Sequence, residues 1–432
     1  MWPAFDSSIA AWIIFAATYF IISFQGIPRI HLDRPAAAML GGTLMVVGGV
    51  LTLEEAWRAI EPHTIILLLG MMILNVFLDL SGFFEMMVKR VLHAAEHPFR
   101  LLLGLAVLSG VLSALFLNDT TCLMLTPPLV MLLKRSKLPP APFLLTLAMS
   151  SNVGSVVSLT GNPQNMLIGQ FGGISYIEFM LWLLLPGAAG MAALLGILRF
   201  RYRRELEIAI DPNATTSETP EGLIDRVLLK KTLIVLGLVL IGFVATSQLA
   251  VVSMVGAGLL ILWTGIPASK VLARVDWILL LFFSGLFIVI RGLEQAGGVE
   301  HFAHLTNGIR DWPLTMRVVL FSLVTIAACN LVSNVPYVML VQSIVPTLGD
   351  PNSGEPQLMW LVLAVGSTFG GNLTIPGSVA TLIVLEGAKD DVQIGFFEFL
   401  KVGLWMVGVT VAVGLMVLLG EHWVWERVFL AR

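Results

Sequence analysis

The chain has 432 residues, 57% of them hydrophobic and only 12% charged, with a net charge of −3. That balance excludes a water-soluble globule, whose composition carries about twice that charged fraction. Two cysteines are too few for a disulfide framework or a thiolate metal centre. Apolar runs of about 17–25 residues recur where a membrane barrel would show alternation, so the chain reads as an all-α polytopic membrane protein.

The first apolar run, 9–24, follows Asp6, lacks a basic start and has no small-residue cleavage site after it. It reads as a retained span, not a signal peptide. Next, Glu61-Pro62-His63 precedes an apolar run that ends in Gly70, and Leu78-Asp79-Leu80-Ser81-Gly82 follows it. The same features return 215 residues later, as Asp276-Trp277 before a run ending in Gly285, then Leu293-Glu294-Gln295-Ala296-Gly297 through Glu300. Asn118 and Gly161 likewise match Asn334 and Gly377, 43 residues apart in each half. The chain is therefore read as two repeats, 1–200 and 232–432, joined by a central loop at 201–231.

Stretch 101–133 is interrupted by Asn118-Asp119-Thr120-Thr121 and closed by Pro127-Pro128, with bases at Arg100 and Lys134 on one side. This predicts a re-entrant hairpin with its tip at Asn118. The following span, about 142–170, breaks at Ser151-Asn152-Val153-Gly154-Ser155 and again at Thr160-Gly161-Asn162-Pro163-Gln164-Asn165. Glycine, proline and asparagine this dense end a helix. The polar stretch 199–231 has no phosphate-binding glycine loop and no room for a nucleotide-binding domain. In the second half, a hairpin at about 315–348 is interrupted by Ser333-Asn334-Val335-Pro336. A broken helix at about 357–386 carries Ser367-Thr368, Thr374-Ile375-Pro376-Gly377-Ser378 and Thr381.

Orientation follows from lysine and arginine, since basic loops stay cytoplasmic. Arg199, Arg201, Arg203, Arg204, Arg226, Lys230 and Lys231 place the central loop inside. Counting outward puts Arg29, Arg34, Lys89, Arg90, Lys134, Lys270, Arg274, Lys389 and Lys401 on the same side. Lys134-Arg135-Ser136-Lys137 is basic, whereas its counterpart at 349–355 carries Asp350 and Glu355 and no base. Equivalent loops thus face opposite sides, the inverted-repeat signature of secondary transporters, which predicts both termini outside.

Irregular backbone at mid-membrane depth survives only where protein or a water-filled cavity surrounds it, so the four breaks mark the expected site. Unwound turns offer carbonyls to a cation and half-helix amino ends to oxygen-rich or anionic groups. Candidate binding residues are Asn118, Asp119, Thr120, Asn152, Gly161, Asn162, Asn165, Ser333, Asn334, Thr374, Gly377, Ser378 and Thr381, with Gln164 adding a neutral group. Asp119 is the acid placed farthest from a span end, where insertion costs about 2.5–3.5 kcal/mol; it is the expected proton carrier. A hydrogen bond from Thr120 or Thr121 that merely holds the hairpin tip is the bland alternative. Asp79, Glu178, Asp276, Glu386 and Glu398 fall at span ends, Arg291 snorkels, and Cys122 and Cys329 read as small core residues.

The Asn-Asp hairpin tip, Ser-Asn-Val-Gly-Ser, Thr-Gly-Asn-Pro-Gln-Asn and the echo Pro-Gly-Ser-Val-Ala-Thr resemble the arsenite permease branch of the ion-transporter superfamily over essentially the whole chain. The resemblance implies an elevator mechanism in which hairpins and broken helices move as one transport domain against a scaffold. It implies a neutral trihydroxide of arsenic or antimony as substrate, held by amides and hydroxyls. Sodium-coupled carboxylate carriers of the superfamily carry Ser-Asn-Thr at both tips. Here the tips read Leu117-Asn118-Asp119 and Ser333-Asn334-Val335, which disfavours that chemistry. Gly371-Asn372-Leu373-Thr374 also departs from the charged variant expected of the permease.

The expected function is arsenite and antimonite efflux by exchange with protons at a bacterial or archaeal inner membrane. One proton crossing about 100 mV supplies about 2.3 kcal/mol, against about 1.4 kcal/mol for a tenfold gradient. A sodium/proton antiporter and a small inorganic-anion or carboxylate transporter are the alternatives. A membrane enzyme lacks its nucleophile, metal cluster or acid pair, and paired hairpins suit alternating access better than a channel pore. No cofactor, metal or nucleic-acid partner is expected. A separate ATPase docked on the central loop stays open, as do a monomer and a homodimer.

Overall fold

A computed structural model of the chain describes residues 7–24, 33–93, 97–207, 224–298, 308–389, 392 and 394–430. Asp6, Arg29, Glu300 and 208–223 of the central loop, used above, lie outside the described residues. The first half runs α1 (Ser7–Phe24), α2 (Arg34–Val47), α3 (Leu53–Ala59), α4 (Pro62–Leu80), α5 (Phe83–His93), α6 (Pro98–Leu115), α7 (Asn118–Ser136), α8 (Pro140–Ser155), α9 (Pro163–Gly172) and α10 (Tyr176–Arg201). The second runs α11 (Arg226–Ala245), α12 (Leu249–Thr264), α13 (Ala268–Leu272), α14 (Trp277–Gln295), α15 (Leu314–Val332), α16 (Asn334–Val341), α17 (Glu355–Gly370), α18 (Val379–Gly387) and α19 (Phe396–Trp425). No strand occurs among the described residues. Seven helices there are long and apolar enough to cross a membrane: α4, α6, α10, α11, α14, α15 and α19 with its extension to Val428.

Apart from α5, whose counterpart positions at 299–307 lie outside the described residues, the helices of the two halves correspond in order. α4 and α14 cover equivalent residues at an offset of 215, each opened by an acid cap: Glu61 accepts from the His63 N–H at 3.0 Å, and Asp276 accepts from the Leu279 N–H at 3.0 Å. Each is followed by a glycine with positive φ, Gly82 at 74° and Gly297 at 79°, a turn that side chains rarely adopt.

The halves interlock through these helices: α2 packs on α14, and its counterpart α12 packs on α4. Glycine sets both crossings. A Cβ on Gly285 would sit 2.6 Å from the main chain of Ala38, and one on Gly70 would sit 2.8 Å from that of Ser253, the equivalent pair. Such small-residue crossings let helix backbones approach closely where lipid offers no hydrophobic drive.

The remaining helices hold the breaks. α6 and α7 form the first hairpin, α15 and α16 the second, and the broken helices are α8–α9 and α17–α18. One expectation is corrected. Pro127 and Pro128 do not close the first hairpin, because α7 continues through them to Ser136. The carbonyls they leave without a helical donor belong to Leu123 and Met124, on the exposed and half-exposed side of the helix, and Thr126 bonds its hydroxyl to the Cys122 carbonyl at 2.6 Å. The second hairpin's inner arm is shorter, ending at Val341 before a turn and a 3-10 segment at Val345–Leu348.

At the far end of that hairpin, Arg317 is buried and bidentate to Glu355, at 2.8 and 3.1 Å, and also donates to the Leu348 carbonyl at 2.6 Å. Burial pushes the Glu355 carboxyl up, but the bonds from Arg317 and from the Asp350 N–H outweigh this and hold it below the usual range.

Candidate substrate site at the crossing of the broken helices

The two hairpin tips and two unwound turns converge. Asn118 opens α7 and donates its main-chain N–H to the Gly161 carbonyl at 2.9 Å, tying the first tip to the first break. Its side-chain amide donates to Asn152 Oδ1 at 3.0 Å. Asn152 in turn donates to Asn372 Oδ1 at 2.8 Å and accepts from the Ser378 hydroxyl at 2.9 Å. Asn372 closes the chain on the Met149 carbonyl at 3.2 Å. Ser151, bonded to Ser113 at 2.7 Å, reaches the Asn118 carbonyl at 3.3 Å. These amides are nearly all buried, so each bond replaces a solvation shell that the interior cannot supply.

The repeat shows here as well. Ser158 bonds the carbonyl of Ala114, and at the equivalent positions Thr374 bonds Asn330 Oδ1 at 2.7 Å. Asn330 also donates to the Gly370 carbonyl at 2.8 Å, and Gly377 packs against it with no space for a Cβ. Ser333, at the second tip, holds φ at 74° and ψ at 158°, a region nearly confined to glycine.

Not every expected ligand faces an opening. Asn162 caps α9 by accepting from the Asn165 N–H at 2.8 Å, and its amide donates to Ser155 and Thr368 at 2.9 and 3.3 Å. Asn165 donates to the carbonyls of Ser155 and Ser158 at 3.0 Å. The carbonyls expected to greet a cation are filled by the chain's own amide, so these two asparagines shape the first break from within. Gly161 serves by size: a Cβ there would strike the Ser155 carbonyl. Gln164 is buried beside them.

Open capacity lies elsewhere. Asn118 Oδ1, Thr121 Oγ1, Thr381 Oγ1 and Asn334 Oδ1 are buried oxygens with no hydrogen-bond partner. The first two sit one turn apart on α7, against which α18 with Thr381 packs. Asp119 and Thr120, beside them, are half-exposed. The Ala380 N–H in the first turn of α18 faces the Asp119 carboxylate, and Asp276 lies within electrostatic reach. Thr121 thus does not hold Asp119 in place. Thr121, Asn330 and Asn372 escaped the candidate set. Asn330 stands in the last turn of α15, four residues before Asn334, and Asn372 follows Gly370-Gly371 inside a break, signals that spacing could have used.

Among the described residues Arg317 is the one buried arginine or lysine, and it is committed to Glu355. The acids expected at span ends are there. Asp79 pairs with Arg274 at 2.7 Å, Glu178 accepts from Gln357 at 2.6 Å, and Glu386 pairs with Lys389. Arg291 is exposed on Glu294 at 3.1 Å, and both cysteines are buried.

A family model described as Citrate transporter, CitMHS, matches residues 10–366. The chain belongs to this family, within the ion-transporter superfamily. A 46 kDa membrane protein of Mycobacterium leprae is 31% identical over 92% of this chain and 96% of its own. A Dictyostelium discoideum transporter named arsB is 25% identical over 93% and 91%, and the silicon efflux transporter LSI3 of Oryza sativa subsp. japonica is 27% identical over 87% and 90%. The crystal structure of the Alcanivorax borkumensis YdaH transporter, described as having an unusual topology, superposes with a TM-score of 0.56 at 13% identity, covering 97% of this chain and 99% of that one. The likeness to YdaH concerns the fold. The family makes this chain a multi-pass membrane transporter.

Proposed function

We propose that the chain exports arsenite and antimonite in exchange for protons, by elevator-type alternating access, with Asp119 as the titrating carrier. One observation carries the reading: the open groups at the crossing are hydrogen-bond acceptors and hydroxyls around a single acid, with no base among them. A neutral trihydroxide presents O–H donors on every side. Asn118 Oδ1, the Thr121 and Thr381 hydroxyls and the Asp119 carboxylate can accept them, whereas a tricarboxylate would bring charge to a site without a cation to meet it.

The relatives support the class of solute, since one is named arsB and another exports silicon. Helices α6–α9 and α15–α18 would form the moving domain and α2, α4, α12 and α14 the scaffold, in an inner membrane with the central loop cytoplasmic. Counterflow in proteoliposomes tests the substrate. Internal arsenite is expected to drive arsenite or antimonite exchange while citrate does not compete; citrate exchange in its place would refute the reading. The oxygen-only set also suits sodium, and sodium-driven proton movement without metalloid would make the chain an antiporter.

A further inference from the structure

A cavity of mixed polar and apolar lining lies away from the crossing, between scaffold and broken helix. It encloses about 300 Å³ between the first turns of α4, the end of α9, the start of α10 and the α11–α12 turn, room for about ten waters at roughly 30 Å³ each. None of the open oxygens of the central site lines it. Its polar lining is His63, Thr64, Gln170, Ser175, Tyr176 and Ser247, with no lysine, arginine, aspartate or glutamate. Thr64 is 2% exposed, and its hydroxyl has no hydrogen-bond partner. A buried hydroxyl left open forfeits the solvation it has in water unless something in the cavity binds it.

The cavity also connects inward. Tyr176 OH lies 3.5 Å from the Thr160 hydroxyl, which lies 3.3 Å from that of Ser158, in the first unwound turn. Thr160 adjoins Gly161, whose carbonyl receives the hairpin tip. Hydroxyls thus run from the cavity to the central site.

We infer that this cavity is a second station for small neutral hydroxylated solutes, entered beside Ser247 and reading O–H groups through Thr64, Gln170 and Tyr176. The inference rests on the neutral-solute reading above. The lining has no lysine or arginine, and its imidazole, His63, is already bonded to Glu61 at 2.8 Å, so a carboxylate finds no free cation there for the water it loses.

The test is protection from labelling. Ser247 is exposed and both native cysteines are buried, so S247C gives a single accessible thiol for a membrane-impermeant maleimide. Silicic acid at twice its dissociation constant is expected to slow labelling about threefold, and citrate is expected to leave it unchanged. Protection should survive T64S and weaken in T64V. Labelling that silicic acid does not slow, that citrate slows, or that T64V leaves equally protected would overturn the station. Arsenite exchange in the same vesicles scores the transport reading separately: protection without exchange keeps the station and removes that reading, and exchange without protection does the reverse.

Discussion

Asn152 and Asn372, 220 residues apart, join the two halves by a side-chain bond of 2.8 Å, Nδ2 of the first to Oδ1 of the second. Each also holds its own surroundings: Asn152 the first hairpin tip and Ser378, Asn372 the Met149 carbonyl. The two broken helices are therefore one polar unit, and a change at either asparagine is felt at both breaks.

From this follows a separation between glue and site. N165A strips the donor from the Ser155 and Ser158 carbonyls and should cost about 1–3 kcal/mol of stability, read as a lower melting temperature in detergent. T121V and T381V remove hydroxyls that hold nothing, so they should leave melting unchanged and raise KM for metalloid several-fold. A stability loss in T121V with KM unchanged would place its hydroxyl among the glue.

The glycine crossings give a second prediction. G70V and G285V drive side chains into Ser253 and Ala38, and overpacking of this kind costs about 1–3 kcal/mol or more. Both should lose the monodisperse peak on size exclusion, whereas G237V and G258V, with open space around their Cβ positions, should keep it.

The Arg317–Glu355 clamp is expected to be worth keeping at every pH at which the protein works. Glu355 is depressed in the folded state, so its contribution is full above the ordinary glutamate value of about 4.3 and is lost as pH falls below it. The share of stability that the clamp supplies should be flat from pH 8 to 5 and fall below that. R317A, which takes the bidentate partner from a half-buried carboxylate, should lower melting and remove that acid limb, so that its difference from the intact chain narrows below pH 5.

Strain at the second tip gives a fourth. Ser333 holds a backbone conformation suited to glycine, so S333G should raise melting temperature, while S333V should lower it and slow transport.

Much of the fold was legible because the repeat is written in residues that geometry constrains. Gly70 and Gly285 align because both are crossing points, Glu61 and Asp276 because both cap a helix, and Gly82 and Gly297 because both turns need positive φ. The breaks themselves were legible in the spacing, but the division of labour among their amides was not. Spacing puts Asn162 and Asn165 in a break, yet only the folded turn shows that their amides are spent on Ser155 and Ser158. Asn372 was missed because its partner, Asn152, lies in the other half. Pro127 and Pro128 misled because their cost depends on which side of α7 they face.

Proton-driven metalloid uptake into everted vesicles, comparing the intact chain with D119N and adding sodium in parallel, tests the central claim most directly. An inward-acidic gradient should drive arsenite accumulation that D119N abolishes and sodium leaves unchanged. Accumulation that survives D119N, or proton release triggered by sodium without metalloid, would contradict the account.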